Sequence, residues 1–265
     1  MSLMTTRTGV GVSGCLIALL LFVLVLPITA RADEIRILSG GGPQEAVRAV
    51  TPEFERATGH QVRATFALVT VVQQKLAGGE KPDLILLPVP LIAATEKSLP
   101  LRSEGRVVLA RVGVAVIVRK GATPPDISTS DAVRKILLDA RSIAFPPPNT
   151  PVGSHLSRMI EQLGIADAVR PKLLIRAAID GGAELVAKGE ADVGMYLLSE
   201  IQSAKDIQAV GLLPSALQNF VVYGAAIPAY NEKPEAAVAF VKFLSDPNKR
   251  DFWKAASFEL TGVAN

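Results

Sequence analysis

The sequence predicts an α/β protein of two doubly wound α/β domains, joined by two β-strand hinges with a ligand cleft between them. Three observations carry that reading. Strand-like apolar runs alternate with helix-period segments from Glu34 onwards. Two β-rich stretches, near residues 108–118 and 220–228, have the length to pass from one domain into the other. The chain left after an N-terminal signal, 265 − 32 = 233 residues, suits two domains of roughly 100–130 residues.

The signal is a three-part segment. Met1 to Gly14 carries one charge, Arg7, and Cys15 to Leu26 is unbroken apolar sequence ended by Pro27. Ala30-Arg31-Ala32 then offers small residues at the positions a signal peptidase must fit, so cleavage is expected between Ala32 and Asp33. Twelve residues at about 1.5 Å each reach roughly 18 Å, short of a hydrocarbon core of about 30 Å. Export to the periplasm follows, rather than anchoring.

Each element has its own warrant. Glu34 to Leu38 alternates and then turns apolar, a strand, and Ser39-Gly40-Gly41-Gly42 leads from it into a helix with Pro43 at its first position. Ala46, Val47, Val50 and Phe54 recur at helical spacing, and Gly59 closes that helix. A strand over 61–67, a short helix over 71–76 and a buried strand over 83–87 follow. Val107 to Val118 reads as one long strand. Ser130 caps a helix to about Ala140, and a strand ends at Phe145 before the stiff run Pro146-Pro147-Pro148-Asn149-Thr150-Pro151. Helix 153–163 ends at Gly164; strand 173–178, helix 181–188 and strand 192–197 succeed it. A short helix over 199–203, strands over 208–213 and 220–227, and helices over 234–244 and 251–256 complete the chain. The alternation predicts parallel sheets covered on both faces. The domains are expected to be 33–108 plus 228–265, and 109–227.

Composition removes several function classes. Without Arg7 and Arg31 the basic residues number 28 − 2 = 26 against 25 acidic ones, and no basic cluster is interleaved with aromatics. No nucleic-acid role is expected. The single cysteine, Cys15, leaves with the signal, so disulfides and thiol chemistry are excluded, and His60 and His155 have no metal-ligand spacing. Neither G-x-S-x-G nor H-E-x-x-H occurs, and nothing in the spacing of Ser39, His155 and Asp180 supports a triad. Glu45, Glu53, Glu55, Glu161 and Glu184 read as solvated faces.

Two segments remain as binding candidates. Ser39-Gly40-Gly41-Gly42 exposes backbone N–H groups at a helix start, where donors and helix dipole together favour an anion. Thr150-Pro151-Val152-Gly153-Ser154-His155 repeats the arrangement in the other domain, with the N–H groups of Gly153 and Ser154 expected to face the cleft and Ser154 available as a cap.

Further motifs extend the pattern. Phe66-Ala67-Leu68-Val69-Thr70 is similar to a Phe-Ala-Ser-Ser-Ser segment, and Pro151 to His155 with Leu163-Gly164 to Pro-Ala-Gly-x-Tyr…Leu-Gly. Gly189-Glu190-Ala191-Asp192-Val193-Gly194 with Ser199-Glu200 is similar to Gly-Glu-Ala-x-x-Gly…Ser-Asp, and Pro234 to Leu244 with Asp246-Pro247 to a C-terminal signature. In this order, across essentially all of 33–265, the chain resembles the periplasmic molybdate-binding proteins of ABC transporters, which are type II solute-binding proteins.

The resemblance implies a periplasmic-binding-protein-like fold and a non-enzymatic monomer that closes on a small anion, molybdate or tungstate by default. It implies an inner-membrane permease with its ATPase as partner, and neither a cofactor nor a protein-coordinated metal ion. Carried over, the ligand positions are Ser39, Gly40, Gly41 and Gly42 in the first loop, then Thr70, then Val152, Gly153 and Ser154, then Ile179. The family's tyrosine falls at Leu197, with Tyr196 beside it on the opposite strand face. In the second hydroxyl cluster only Thr70 keeps a hydroxyl. The alternatives are another oxyanion or a small organic carboxylate as ligand, a sensor as partner, or an exported enzyme with His155 as its base.

Overall fold

The computed structural model of the protein describes Met1, residues 32–232 and residues 234–260. The signal segment expected over 1–32 therefore lies outside the described residues except at its two ends. Residues 32–260 belong to one compact unit.

The first sheet is built from β1 (Glu34–Gly40), α1 (Gln44–Thr58), β2 (Gln61–Ala67), α2 (Val69–Ala77), β3 (Leu84–Pro88), α3 (Val89–Thr95) and β4 (Val107–Val112). The second takes β5 (Val114–Arg119), α4 (Ser130–Asp139), β6 (Ile143–Phe145), α5 (Pro151–Gln162), α6 (Ala166–Val169), β7 (Leu173–Ile175), α7 (Gly182–Ala187), β8 (Val193–Leu197) and β9 (Ile207–Leu212). The chain then returns through β10 (Val221–Ala226) to α8 (Glu235–Ser245) and α9 (Asp251–Ala255).

The two sheets share one plan. Their strand orders are β2-β1-β3-β10-β4 and β7-β6-β8-β5-β9. In the first, β1, β2 and β3 run parallel and β10 enters antiparallel to both β3 and β4. In the second, β6 is parallel to β7 and β8, and β5 is antiparallel to β8 and β9. Each sheet is therefore mixed, where strand-helix alternation alone predicts parallel strands. The reason is the crossover: the strand that arrives directly from the other sheet has no helix to reverse it.

Val107 to Val118 is two strands, not one. Gly113 separates β4 from β5, and a β-carbon there would stand 3.0 Å from Gln218 Nε2. Gln218 lies on the return connection and grips Val114, accepting from its N–H and donating to its carbonyl, both at 2.9 Å. The sheets thus exchange the chain at Gly113 and within 213–220, inside the divisions at 108/109 and 227/228 that the sequence suggests.

Local chemistry explains the framework. β3 is buried at every position, as the middle of a covered sheet demands. α1 buries Ala46, Val47, Val50 and Phe54, and Phe54 meets Phe240 and Phe243 of α8 edge-on at 4.9 and 5.4 Å. Gly59 ends α1 at φ +78°, the left-handed conformation that suits glycine. α4 is capped by Thr129, one residue before the expected Ser130, because the Thr129 hydroxyl accepts from Ala132 N–H. α3 and α6 lie outside the sequence reading; both are short, and Pro90 in the first turn of α3 masks its period.

Candidate functional site

A narrow cleft enclosing about 30 Å³ lies between the sheets. Gly41, Leu68, Val69, Pro88, Val221 and Tyr223 line it from the first sheet and its loops. Pro146, Thr150, Pro151, Val152, the run Ala177-Ala178-Ile179, Leu197 and Glu200 line it from the second. The starts of α2 and α5 and the loop into α1 thus meet at one place. First-turn N–H groups have no partner within their own helix, so the position is positively polarised without a cationic side chain.

The glycine loop serves close approach. A β-carbon on Gly40 would stand 2.9 Å from Val69 Cγ1, and one on Gly42 would stand 2.6 Å from the Tyr223 hydroxyl. Neither glycine has positive φ, so space is what the triplet supplies. Ser39 is fully buried in β1 and donates to the Gly40 carbonyl at 2.8 Å; it does not line the cavity. Thr70 is the second residue of α2 and only its neighbours Leu68 and Val69 line the cavity.

The α5 start differs from expectation. The helix begins at Pro151, because the Thr150 hydroxyl caps it, accepting from Gly153 N–H at 3.1 Å and donating to the Pro147 carbonyl at 2.7 Å. Ser154 N–H bonds the Thr150 carbonyl at 2.8 Å, so the amides of Gly153 and Ser154 are both engaged within the loop and helix. Pro151 has no N–H, leaving Val152 as the first-turn amide there. The Ser154 hydroxyl accepts from Arg158 instead of capping. Gly153 is required: its β-carbon would sit 2.0 Å from the Pro147 carbonyl oxygen.

Leu197 and Tyr196 lie on opposite faces of β8. Leu197 lines the cavity, whereas Tyr196 is buried in a separate cluster, packs on Gly182 and donates to the Arg176 carbonyl at 3.0 Å. The strand sequence Arg176 to Ala178 becomes a 3-10 turn over Ala178–Asp180, which carries Ile179 into the cleft. Of the sequence candidates, Gly41, Val152, Ile179 and Leu197 line this cavity together; Gly40 and Gly42 shape its wall, and Ser39, Thr70, Gly153, Ser154 and Tyr196 stand behind it.

Among the lining side chains absent from the sequence candidates, Tyr223 and Glu200 carry ionisable groups. Tyr223 comes from the return strand β10; burial raises its hydroxyl pKa well above the usual value, the neighbouring Glu200 adds to that, and a backbone hydrogen bond from Gly42 opposes it. Glu200 follows β8. Its carboxylate oxygen lies 3.3 Å from where a Gly41 β-carbon would be, and it makes no hydrogen bond or ion pair among the described residues. Burial pushes its pKa up to about 7, although one edge stays open to the cleft. The Ser199-Glu200 motif marks this place in the sequence, but strand and helix periods say nothing about a residue just beyond a strand end.

A second, more polar cavity adjoins the first through Gly41, Ala178, Ile179 and Glu200. Gln44, Glu45, Glu184, Ser199 and Ser203 complete most of its wall; Glu184 is exposed, as expected of a solvated face, and Glu45 is half-buried. The Ser199 hydroxyl is buried there without a hydrogen-bond partner. Among the described residues no Lys, Arg or His lines either cavity. His155 stands apart: half-buried on α5, it bonds the Leu217 carbonyl at 2.9 Å, and burial lowers its pKa. Among the described residues no group of three or more His, Cys, Asp or Glu is placed to hold a metal ion.

Residues 35–259 match the bacterial extracellular solute-binding proteins. An aconitate isomerase from a Pseudomonas species is 31% identical over 234 residues, spanning 86% of this chain and 88% of that protein. The molybdate-binding protein ModA of Azotobacter vinelandii is 26% identical over 246 residues, 89% of this chain and 94% of its own. Among solved structures, the sulfate-binding protein SubI of Mycobacterium tuberculosis H37Rv superposes with a TM-score of 0.71 at 21% identity, over 88% of each chain.

Proposed function

The chain belongs to the bacterial extracellular solute-binding proteins, and from that premise we propose that it captures a small organic anion bearing carboxylate groups between its two sheets. One observation carries the choice of ligand. Among the described residues only Thr150, Glu200 and Tyr223 bring polar side-chain atoms to the first cavity, and the Thr150 oxygen is already used twice. A tetrahedral dianion such as molybdate needs a donor for each oxygen, and every hydrogen bond to a charged group left unmade costs about 1.5–3 kcal/mol. Molybdate gathers four acceptor oxygens round one atom, whereas an organic acid spreads its carboxylates along a carbon skeleton and asks fewer donors of any one point in this cavity.

An organic acid divides its surface as the cavity does. Its carboxylate takes the N–H groups at the starts of α2 and α5, and its carbon skeleton rests on Leu68, Val69, Val152, Ile179 and Leu197. The relative named aconitate isomerase supports the same class of ligand, aconitate being a small unsaturated tricarboxylate. Closure of the sheets then buries the ligand, and an inner-membrane permease with its ATPase reads the closed monomer. The setting is the periplasm, after cleavage behind Ala32. A thermal-shift panel on ligand-stripped protein tests the reading. trans-Aconitate and citrate should raise the melting temperature, and molybdate, tungstate and sulfate should not; the reverse pattern removes the proposal.

A second reading, an exported isomerase on this scaffold, has one observation in its favour: an unpaired carboxyl titrating near neutrality in the cleft, in a chain related to a named isomerase. Its base is Glu200 rather than His155, which lies outside both cavities. Proton NMR of trans-aconitate incubated with protein in D2O separates the readings, since a carrier leaves the ligand's isomer and its C–H signals unchanged.

A further inference from the structure

Glu200 occupies the waist between the two cavities and is the one carboxyl lining both. Among the described residues it makes no hydrogen bond or ion pair, and the hydroxyl of its neighbour Ser199 is buried without a hydrogen-bond partner. No cationic side chain among the described residues lines either cavity. Tyr223 faces it from β10 and Tyr196 stands behind the cavity wall on β8; Glu45 from α1, paired with Arg48 at 3.5 Å, and Glu184 from α7 share the second cavity with it, and Arg176, beyond Tyr196, is exposed. An ionised Glu200 beside a bound carboxylate would put two like charges together where little water reaches them. Two carboxyl groups in that position share a proton.

We propose that Glu200 meets the ligand as a carboxylic acid, donating its proton to a ligand carboxylate oxygen, so that capture above neutral pH takes up one proton per ligand. This rests on the organic-anion reading above. The proton comes from the buffer acid in solvent: its bond to hydrogen breaks, the Glu200 O–H forms, and no bond of the ligand changes. Burial alone already holds this carboxyl near neutrality, so the bound anion needs only to extend an existing shift. The consequence is a solute-binding site whose specificity is set by a donor that exists only when protonated: an anion able to accept that hydrogen bond is retained, and its affinity follows external acidity.

Calorimetry with trans-aconitate from pH 6 to 9, in two buffers of different ionisation enthalpy, counts the protons. Uptake should rise from near zero at pH 6 towards one above pH 8, with affinity falling about tenfold per pH unit above about 7. The isosteric Glu200→Gln variant should lose both the uptake and the pH dependence. Wild-type binding without uptake, the same uptake in Glu200→Gln, or affinity that rises with pH would overturn the proposal and leave the organic-anion reading standing. If neither trans-aconitate nor citrate binds either protein at any pH, the reading itself fails and this inference with it.

Discussion

The Glu200 carboxylate oxygen stands 3.3 Å from the place a β-carbon on Gly41 would occupy, and this is where the two sheets meet across the cleft. Gly41 follows the first strand of one sheet and Glu200 follows β8 of the other. The absence of a side chain on the first residue gives the carboxyl of the second its position between the cavities.

Gly41→Ala tests that relationship. The added methyl falls 3.3 Å from Glu200 Oε1 and 3.5 Å from Ile179 Cδ1, tight contacts that flexible side chains relieve by moving into the cleft. Thermal stability should change little, while affinity for trans-aconitate drops by at least about fivefold, near 1 kcal/mol. Calorimetry beside a melting curve reads both.

Glu200→Gln changes stability with a definite sign. The folded-state pKa of about 7 lies above the ordinary 4.5, so the folded protein binds the proton more tightly than the unfolded chain. Stability is lost as pH rises between those two values, by about 3 kcal/mol at 1.36 kcal/mol per unit. The variant should be more stable than wild type above pH 7, by up to that amount, and match it below about pH 4.5. Urea titrations of ligand-free protein at pH 4.5 and 8 measure the difference.

Gly153→Ala should be severely destabilising. Its methyl would overlap the Pro147 carbonyl oxygen at 2.0 Å, a backbone atom held in place by the Thr150 hydroxyl and N–H. A loss of about 3 kcal/mol or more is expected from chemical denaturation. Thr150→Val, which keeps the shape and removes the cap, should cost only about 1 kcal/mol.

Tyr196→Phe separates the two faces of β8. The hydroxyl bonds the Arg176 carbonyl and points away from the cleft, so its removal should cost about 1 kcal/mol of stability. Binding of trans-aconitate should be unaffected, as a fluorescence or calorimetric titration would register.

Much of this framework was legible in the sequence because it follows from periodicity. The four apolar positions of α1, the buried run of β3 and the offset that sends Tyr196 and Leu197 to opposite faces are all consequences of helical and strand spacing. Gly113 shows where that logic stops: twelve β-prone residues read as one strand, and only the clasp of Gln218 on Val114 reveals the exchange between sheets. The site was harder still. Thr150 outcompetes Ser154 as the cap because the proline run positions its hydroxyl between Pro147 and Gly153, a three-dimensional circumstance. Tyr223 reaches the glycine loop from a strand about 180 residues later, and no local pattern announces such a pairing.

Isothermal calorimetry of ligand-stripped protein with trans-aconitate and molybdate, run on one preparation at pH 6.5, tests the central claim directly. A cavity walled by aliphatic side chains, with the Glu200 carboxyl unbonded among the described residues, predicts saturable binding of trans-aconitate at one site and no heat from molybdate. Tight molybdate binding with none for trans-aconitate would contradict the account.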